Sequence, residues 1–120
     1  MAIGRLKLKS DGIMFVGNNA EDVTGSMTLI KFANKQILRE AGLYQNNDYL
    51  ESYKVNTEKF KFKPEEIDYV FVGHCHIDHI GLLPRLVKEG FTGKIIMTYP
   101  TSIISKHLLL NCVFILADEA

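Results

Sequence analysis

Cysteine is scarce in this sequence of 120 residues, with Cys75 and Cys112 making up the whole supply. A fold stapled by disulfides needs several bridges, so two thiols, one of them inside a cluster of ligand-type side chains, argue against that scaffold and fit a reducing compartment. Net charge is missing as well, since 14 basic side chains balance 14 acidic ones. That balance removes the non-specific attraction of a basic protein for phosphate polymers, so any nucleic-acid contact has to come from a local patch or another domain. No apolar run approaches the roughly 20 residues that span a bilayer, and Met1-Ala2-Ile3-Gly4-Arg5-Leu6-Lys7 lacks the apolar core of a signal peptide. Repeats and low-complexity linkers are also absent. The composition, 47% hydrophobic and 23% charged, is that of one small globular unit expected in the cytoplasm, without a membrane partner.

The chemistry is concentrated in one stretch, Val72-Gly73-His74-Cys75-His76-Ile77-Asp78-His79-Ile80-Gly81, which holds every histidine of the chain except His107. Neutral imidazole and carboxylate are the nitrogen and oxygen ligands that zinc, manganese and iron accept. The cluster follows an apolar run that reads as a buried strand, and a loop at a strand's end can fold several ligands toward one point. The competing reading is a solvated histidine-rich loop. On an extended backbone His74 and His76 point to the same side and Cys75 to the other, so the two imidazoles can share an ion while Cys75 packs inward. Asp78 and His79 fall where the chain turns into a helix, and can face a second ion about 3.5–4 Å from the first, the separation used by two-metal hydrolases. His74, His76, Asp78 and His79 are therefore the candidate metal ligands, with Asp78 also the candidate catalytic group that orients water. Two ligands for each ion is fewer than the about three protein ligands of a catalytic zinc, which predicts weak metal affinity. His107, in an apolar helical stretch, reads as an ordinary core or surface histidine.

Hydrophobic patterning predicts strands first and α/β alternation later. Leu6 and Leu8 alternate with lysines, Ile13 to Val16 is apolar, and Asp11-Gly12 suits a hairpin turn between them. Thr28 to Phe32 and Gln36 to Leu38 read as a second pair at a sheet edge, joined through Ala33-Asn34-Lys35. Pro64-Glu65-Glu66-Ile67 predicts the first turn of a short helix, Tyr69 to Val72 a buried strand, Gly81 to Glu89 a helix capped by Gly90, and Lys94 to Met97 a returning strand. Thr101 or Ser102 is expected to cap a last helix to about Leu110, with Cys112 to Leu116 as a further strand. The alternation Lys59-Phe60-Lys61-Phe62-Lys63 reads as a half-buried strand, although aromatic and basic residues so interleaved can also grip single-stranded RNA. The tail from Leu108 to Leu116 carries little polar surface, which predicts an apolar face in need of cover. A two-fold homo-oligomer is the simplest expectation from it, the alternative being an ordinary core helix and strand.

The pattern H-x-H-x-D-H at 74–79 resembles the signature of the metallo-β-lactamase superfamily. Val23-Thr24-Gly25-Ser26, Leu38-Arg39-Glu40-Ala41-Gly42-Leu43-Tyr44-Gln45, Phe60-x-Phe62-x-Pro64 and Gly81-Leu82-Leu83-Pro84-Arg85-Leu86 resemble successive landmarks of its β-CASP nuclease branch. The resemblance implies an α/β (α+β) fold, of which residues 1–120 are the first half-domain of an αββα sandwich, with no second domain. It also implies a site of two zinc ions, with manganese an acceptable substitute: His74 and His76 serve the first and Asp78 and His79 the second. Further ligands would come from later family motifs that this sequence does not contain. The implied activity is metal-dependent RNA phosphodiester hydrolysis by a longer parent, with the 120-residue chain inactive alone. A small ester or lactam hydrolase and an inactive metal-binding or assembly module are the alternatives. Glu40 stands where the family usually has Asp. Its role as orienter of a ligand and its role as a solvated loop acid stay equally open. Thr24-Gly25-Ser26 reads as turn chemistry.

Overall fold

The computed structural model describes residues 9–17, 26–45 and 47–119, and of 77 and 112–119 the backbone only. A five-stranded sheet in the order β1-β2-β3-β4-β5 runs through β1 (Gly12–Phe15), β2 (Thr28–Phe32), β3 (Lys35–Arg39), β4 (Tyr69–Phe71) and β5 (Lys94–Ile96). β1, β2 and β3 pair antiparallel, whereas β3–β4 and β4–β5 are parallel. Parallel neighbours need a crossover. The first contains α1 (Tyr49–Thr57) and a 3₁₀ turn at Pro64–Glu66, and the second contains α2 (Ile77–Ile80) and α3 (Leu83–Lys88). The chain ends in α4 (Tyr99–Glu119).

β2 and β3 form the expected hairpin, but the turn is only Ala33-Asn34, with φ 51° and 63°. Two successive left-handed residues make the turn whose twist matches the flanking strands, and Asn tolerates that conformation. Both strands lie inside the sheet rather than at its edge, because β1 and β4 flank them. Gly12 is itself the first residue of β1, opposite Lys31, so it is not the centre of a turn. The strand proposed before it, and the landmark at 23–25, lie outside the described residues.

One face of the sheet carries the core. Leu29, Leu38 and Val70 are fully buried there and join Phe60, Phe62, Ile67, Ile80, Leu83, Leu86 and Phe91 in one cluster. The lysine–phenylalanine alternation at 59–63 does sort by burial, with Phe60 and Phe62 inside and the lysines outside. It forms no strand, because alternation sets which side a residue faces and cannot supply a neighbouring strand. The two rings instead stack 5.2 Å apart.

α4 departs furthest from the sequence reading. Thr98, not Thr101 or Ser102, caps it, its Oγ1 accepting from the Thr101 N–H at 3.4 Å. Cys112 to Leu116 continue the helix instead of forming a strand. Apolar composition without alternation cannot distinguish the two. Leu109 packs against the core, while Ile103, Ile104 and Leu110 are exposed. Among the described residues, no helix is long and apolar enough to cross a membrane.

Candidate metal centre

The candidate ligands emerge where the parallel strands β3 and β4 end, the usual place for a site in such sheets. β3 does not stop at Arg39 without a plan: Glu40 N–H donates to Phe71 O at 2.9 Å, extending the pairing by one residue. Glu40 then adopts φ 65°, a left-handed conformation that few non-glycine residues take. The turn sends Ala41 and Gly42 across the base of α2. Ala41 N–H donates to His79 O at 2.9 Å, and Leu82 N–H donates to Ala41 O at 2.8 Å. Gly42 N–H reaches Ser26 O at 3.1 Å. A Cβ on Gly42 would stand 1.7 Å from Asp78 O, so only glycine permits this approach.

β4 is extended in the same way by Val72, whose N–H donates to Ile96 O at 2.9 Å. Gly73 to His76 form the loop. His76 O then accepts from His79 N–H at 2.9 Å and Ile80 N–H at 3.2 Å, starting the single turn of α2. Ile80 is fully buried and anchors that turn in the core, leaving Asp78 and His79 half-buried beside the loop.

The four candidates come together as two contacting pairs. His74 Nε2 lies 2.8 Å from His76 Nδ1, the rings being edge to face with centroids 4.1 Å apart. Asp78 Oδ2 lies 3.4 Å from His79 Nε2. The pairs adjoin each other, with the His74 and His79 rings 5.2 Å apart. Cys75, between the first two histidines, is half-buried, and His107 is exposed on α4.

The arrangement rests on Glu40, which is 1% exposed. Its Oε1 accepts from Gly73 N–H at 2.8 Å, and its Oε2 lies 3.0 Å from His79 Nδ1. With the Nδ1–H donating to Glu40, His79 keeps its Nε2 lone pair free on the side of Asp78. A carboxyl group behind an imidazole is how metal-bound histidines are commonly oriented. Glu40 is thus no solvated loop acid. Burial settles a question that sequence left even, and the hint was its position between a strand end and Ala41-Gly42. The backbone N–H of Gly73 and the close approach of Gly42 to Asp78 carried no sequence signal of their own role.

The donor set suits a hard or borderline divalent cation: three imidazoles and a carboxyl group, with no competing Lys or Arg in the contacts described. Two ligands on one tetrahedral zinc with bonds of about 2.1 Å stand about 3.4 Å apart. The Asp78–His79 pair has that spacing, whereas the His74–His76 pair is closed to hydrogen-bonding distance and has to open slightly. Among the described residues no three His, Cys, Asp or Glu side chains converge as a ready-made cation cluster. The residues fit the metal in kind, and the Asp78–His79 pair fits it in spacing.

Residues 21–107 match the family model described as the Metallo-beta-lactamase superfamily. The chain belongs to that superfamily. Its relatives include Ribonuclease TTHA0252 of Thermus thermophilus, 33% identical over 90 residues, covering 75% of this chain and 20% of that protein. Endoribonuclease YSH1 of Gibberella zeae is 32% identical over 108 residues, 87% of this chain and 12% of that protein. Cleavage and polyadenylation specificity factor 73 of Drosophila melanogaster is 29% identical over 90 residues, 74% of this chain and 13% of that protein. These are relatives of the β-CASP RNA-processing branch, in agreement with the landmarks in the sequence. The chain spans only about an eighth to a fifth of their length. Among solved structures, a metallo-beta-lactamase from Cronobacter sakazakii, an HARLDQ-motif mutant, superposes with a TM-score of 0.51 at 24% identity, over 75% of this chain and 32% of that one. That likeness is one of fold alone. The superfamily implies a metal cofactor.

Proposed function

We propose that this chain carries the first metal-binding loop of an RNA-hydrolysing metalloenzyme of the β-CASP branch, acting in the cytoplasm. The observation that carries the reading is the buried Glu40 carboxyl group, which holds both the loop, through Gly73 N–H, and a candidate ligand, through His79. His74 and His76 would hold one ion, and Asp78 and His79 the other. Zinc is the ion the donor set suits best, with manganese the alternative. When bound, such ions supply Lewis-acid stabilisation of a phosphodiester and a water made acidic enough to attack it.

The protein's own residues then do four things. Glu40 fixes the His79 tautomer and ring plane. Gly42 lets the β3 end press on Asp78, setting where its carboxyl group stands. Asp78, half-buried beside His79, would hold its ion and orient the attacking water. His74 and His76, exposed at the loop's tip, mark the side from which a phosphate chain approaches. RNA as the substrate is supported by the names of the relatives, and the ligand loop by itself serves other esters equally well.

The loop is tested by elemental analysis of the purified chain. After equilibration with excess zinc or manganese, the wild-type chain should carry the metal and His76→Ala should have lost it. Equal metal content in the two proteins would remove His76 from the ligand set and, with it, the basis of this reading.

A further inference from the structure

The lysine–phenylalanine alternation at 59–63 keeps its basic half on the surface. Phe60 and Phe62 lie in the core, so neither ring can receive a base, while Lys59, Lys61 and Lys63 are all exposed. Residues 49–63 hold four lysines against two glutamates, a local excess in a chain whose charges cancel overall. A balanced chain needs such a patch to hold a phosphate polymer. Aromatic surface adjoins it on α1. Tyr49 and Tyr53 are 80% and 65% exposed, and four residues apart on a helix their Cβ atoms stand about 5–6 Å from each other. Neither ring is used to hold the helix down, because Asn56 does so through its two hydrogen bonds to the Tyr44 backbone.

The helix end, the lysine strip and the metal loop meet at one hollow, lined by Asn56, Lys59, Lys61 and Arg85 together with Gly42 and Leu82. Gly42 lies against the Asp78 carbonyl and Leu82 N–H donates to Ala41 O, so the hollow borders the base of the metal loop. We propose that α1 and the strip at 59–63 form a track for single-stranded RNA beside that loop, with bases stacked on Tyr49 and Tyr53 and phosphates paired with Lys59, Lys61 and Lys63. The track rests on the reading of the chain as part of an RNA hydrolase, and adds where a strand lies away from the scissile bond. Composition selects RNA over a protein partner. Lysine and glutamate are depleted from protein interfaces, whereas aromatic platforms beside a basic rail hold single strands without sequence preference. Spacing agrees, since alternate residues of a chain lie at most about 7 Å apart, the scale on which phosphates of an extended single strand recur.

Fluorescence anisotropy of a labelled RNA strand of about 12 nucleotides, with the 120-residue chain in chelator and low salt, tests the track apart from metal and cleavage. Binding is expected at micromolar chain, its logarithm falling against log salt with a slope of about −2, the value for three phosphates of a single strand. Lys61→Gln should flatten that slope by about 0.7. Tyr53→Ala should weaken binding roughly 5- to 150-fold and Tyr53→Phe should restore it, because stacking needs the ring and not the hydroxyl. Both positions are exposed, so circular dichroism and metal uptake should match the wild type in each variant. An RNA duplex of the same sequence, its bases already stacked on one another, should bind roughly tenfold more weakly. Absence of binding at a hundred micromolar chain overturns the track, as does equal affinity for the duplex or binding indifferent to Tyr53→Ala and Lys61→Gln. A chain that takes up metal but no RNA loses the track alone, whereas RNA binding without metal uptake removes the metal loop alone.

Discussion

Glu40 holds the site from a backbone conformation that costs about 1–3 kcal/mol for a non-glycine residue. The cost is met because its side chain, fully enclosed, accepts from Gly73 N–H and contacts His79 Nδ1. Glu40→Gln keeps the shape but offers an amide N–H to one of the two partners. Directed at Gly73 it would set donor against donor, so it turns to His79 and forces the tautomer with Nε2–H, which has no lone pair for a metal. Zinc affinity is predicted to fall about 10- to 100-fold with the fold retained. Competition against a chromophoric chelator measures it, and wild-type affinity in Glu40→Gln would show that His79 is not a ligand. Gly42 acts at the same scale: the residue-type landmark Ala41-Gly42 has a steric cause in the Asp78 carbonyl, which no longer side chain at 42 could pass.

Among the elements, α1 is one that sequence patterning did not reveal, and α2 another, since the helix read from Gly81 to Glu89 is α3 (Leu83–Lys88) preceded by a separate turn at Ile77–Ile80. α1 has no apolar stripe and buries no residue, with Tyr49, Leu50 and Tyr53 all exposed. Its existence depends on hydrogen bonds. Asp48 Oδ1 caps it by accepting from Leu50 and Glu51 N–H at 3.0 and 3.1 Å. Asn56 ties it to the rest: its Oδ1 accepts from Tyr44 N–H at 2.7 Å, and its Nδ2 donates to Tyr44 O at 2.8 Å. Arg85 of α3 donates to Asn56 O at 2.7 Å while lying over the Phe60 ring at 4.7 Å. Asn56→Ala leaves both Tyr44 backbone groups without that partner and is predicted to destabilise the chain by about 1–3 kcal/mol. Urea unfolding should show the loss, and hydrogen exchange should place it at α1. An unchanged midpoint would mean that water replaces the amide at no cost.

For the whole molecule, the question is how many donors the proposed ligand assignment brings to each ion. On the proposed assignment two donors would face each ion, where a catalytic zinc keeps about three from the protein, and among the described residues no group of three possible ligands is found. The purified 120-residue chain is therefore predicted to cleave labelled single-stranded RNA at or near background with added zinc or manganese. Robust cleavage abolished by a chelator would show that the donors described here are sufficient. At the same scale the sheet is buried on one side, with Ile13, Phe15 and Phe32 exposed on the other.

The sequence by itself determined the ligand types at 74–79, the strand–loop–helix order around them, a hairpin through 33–35 and membership of the superfamily. All of these are written in neighbouring residues or in short spacings, and local chain geometry is enough to read them. Tertiary structure decided what Glu40 does, since its burial and its bonds to Gly73 and His79 cross more than thirty positions of sequence. It also decided that β2 and β3 lie inside the sheet, that 59–63 has no strand partner, and that the tail is helical. Most of all it decided which face of the sheet is covered. Alternation tells which residues of a strand point together, but whether their side meets a helix or water depends on where distant elements pack, and no local period records that.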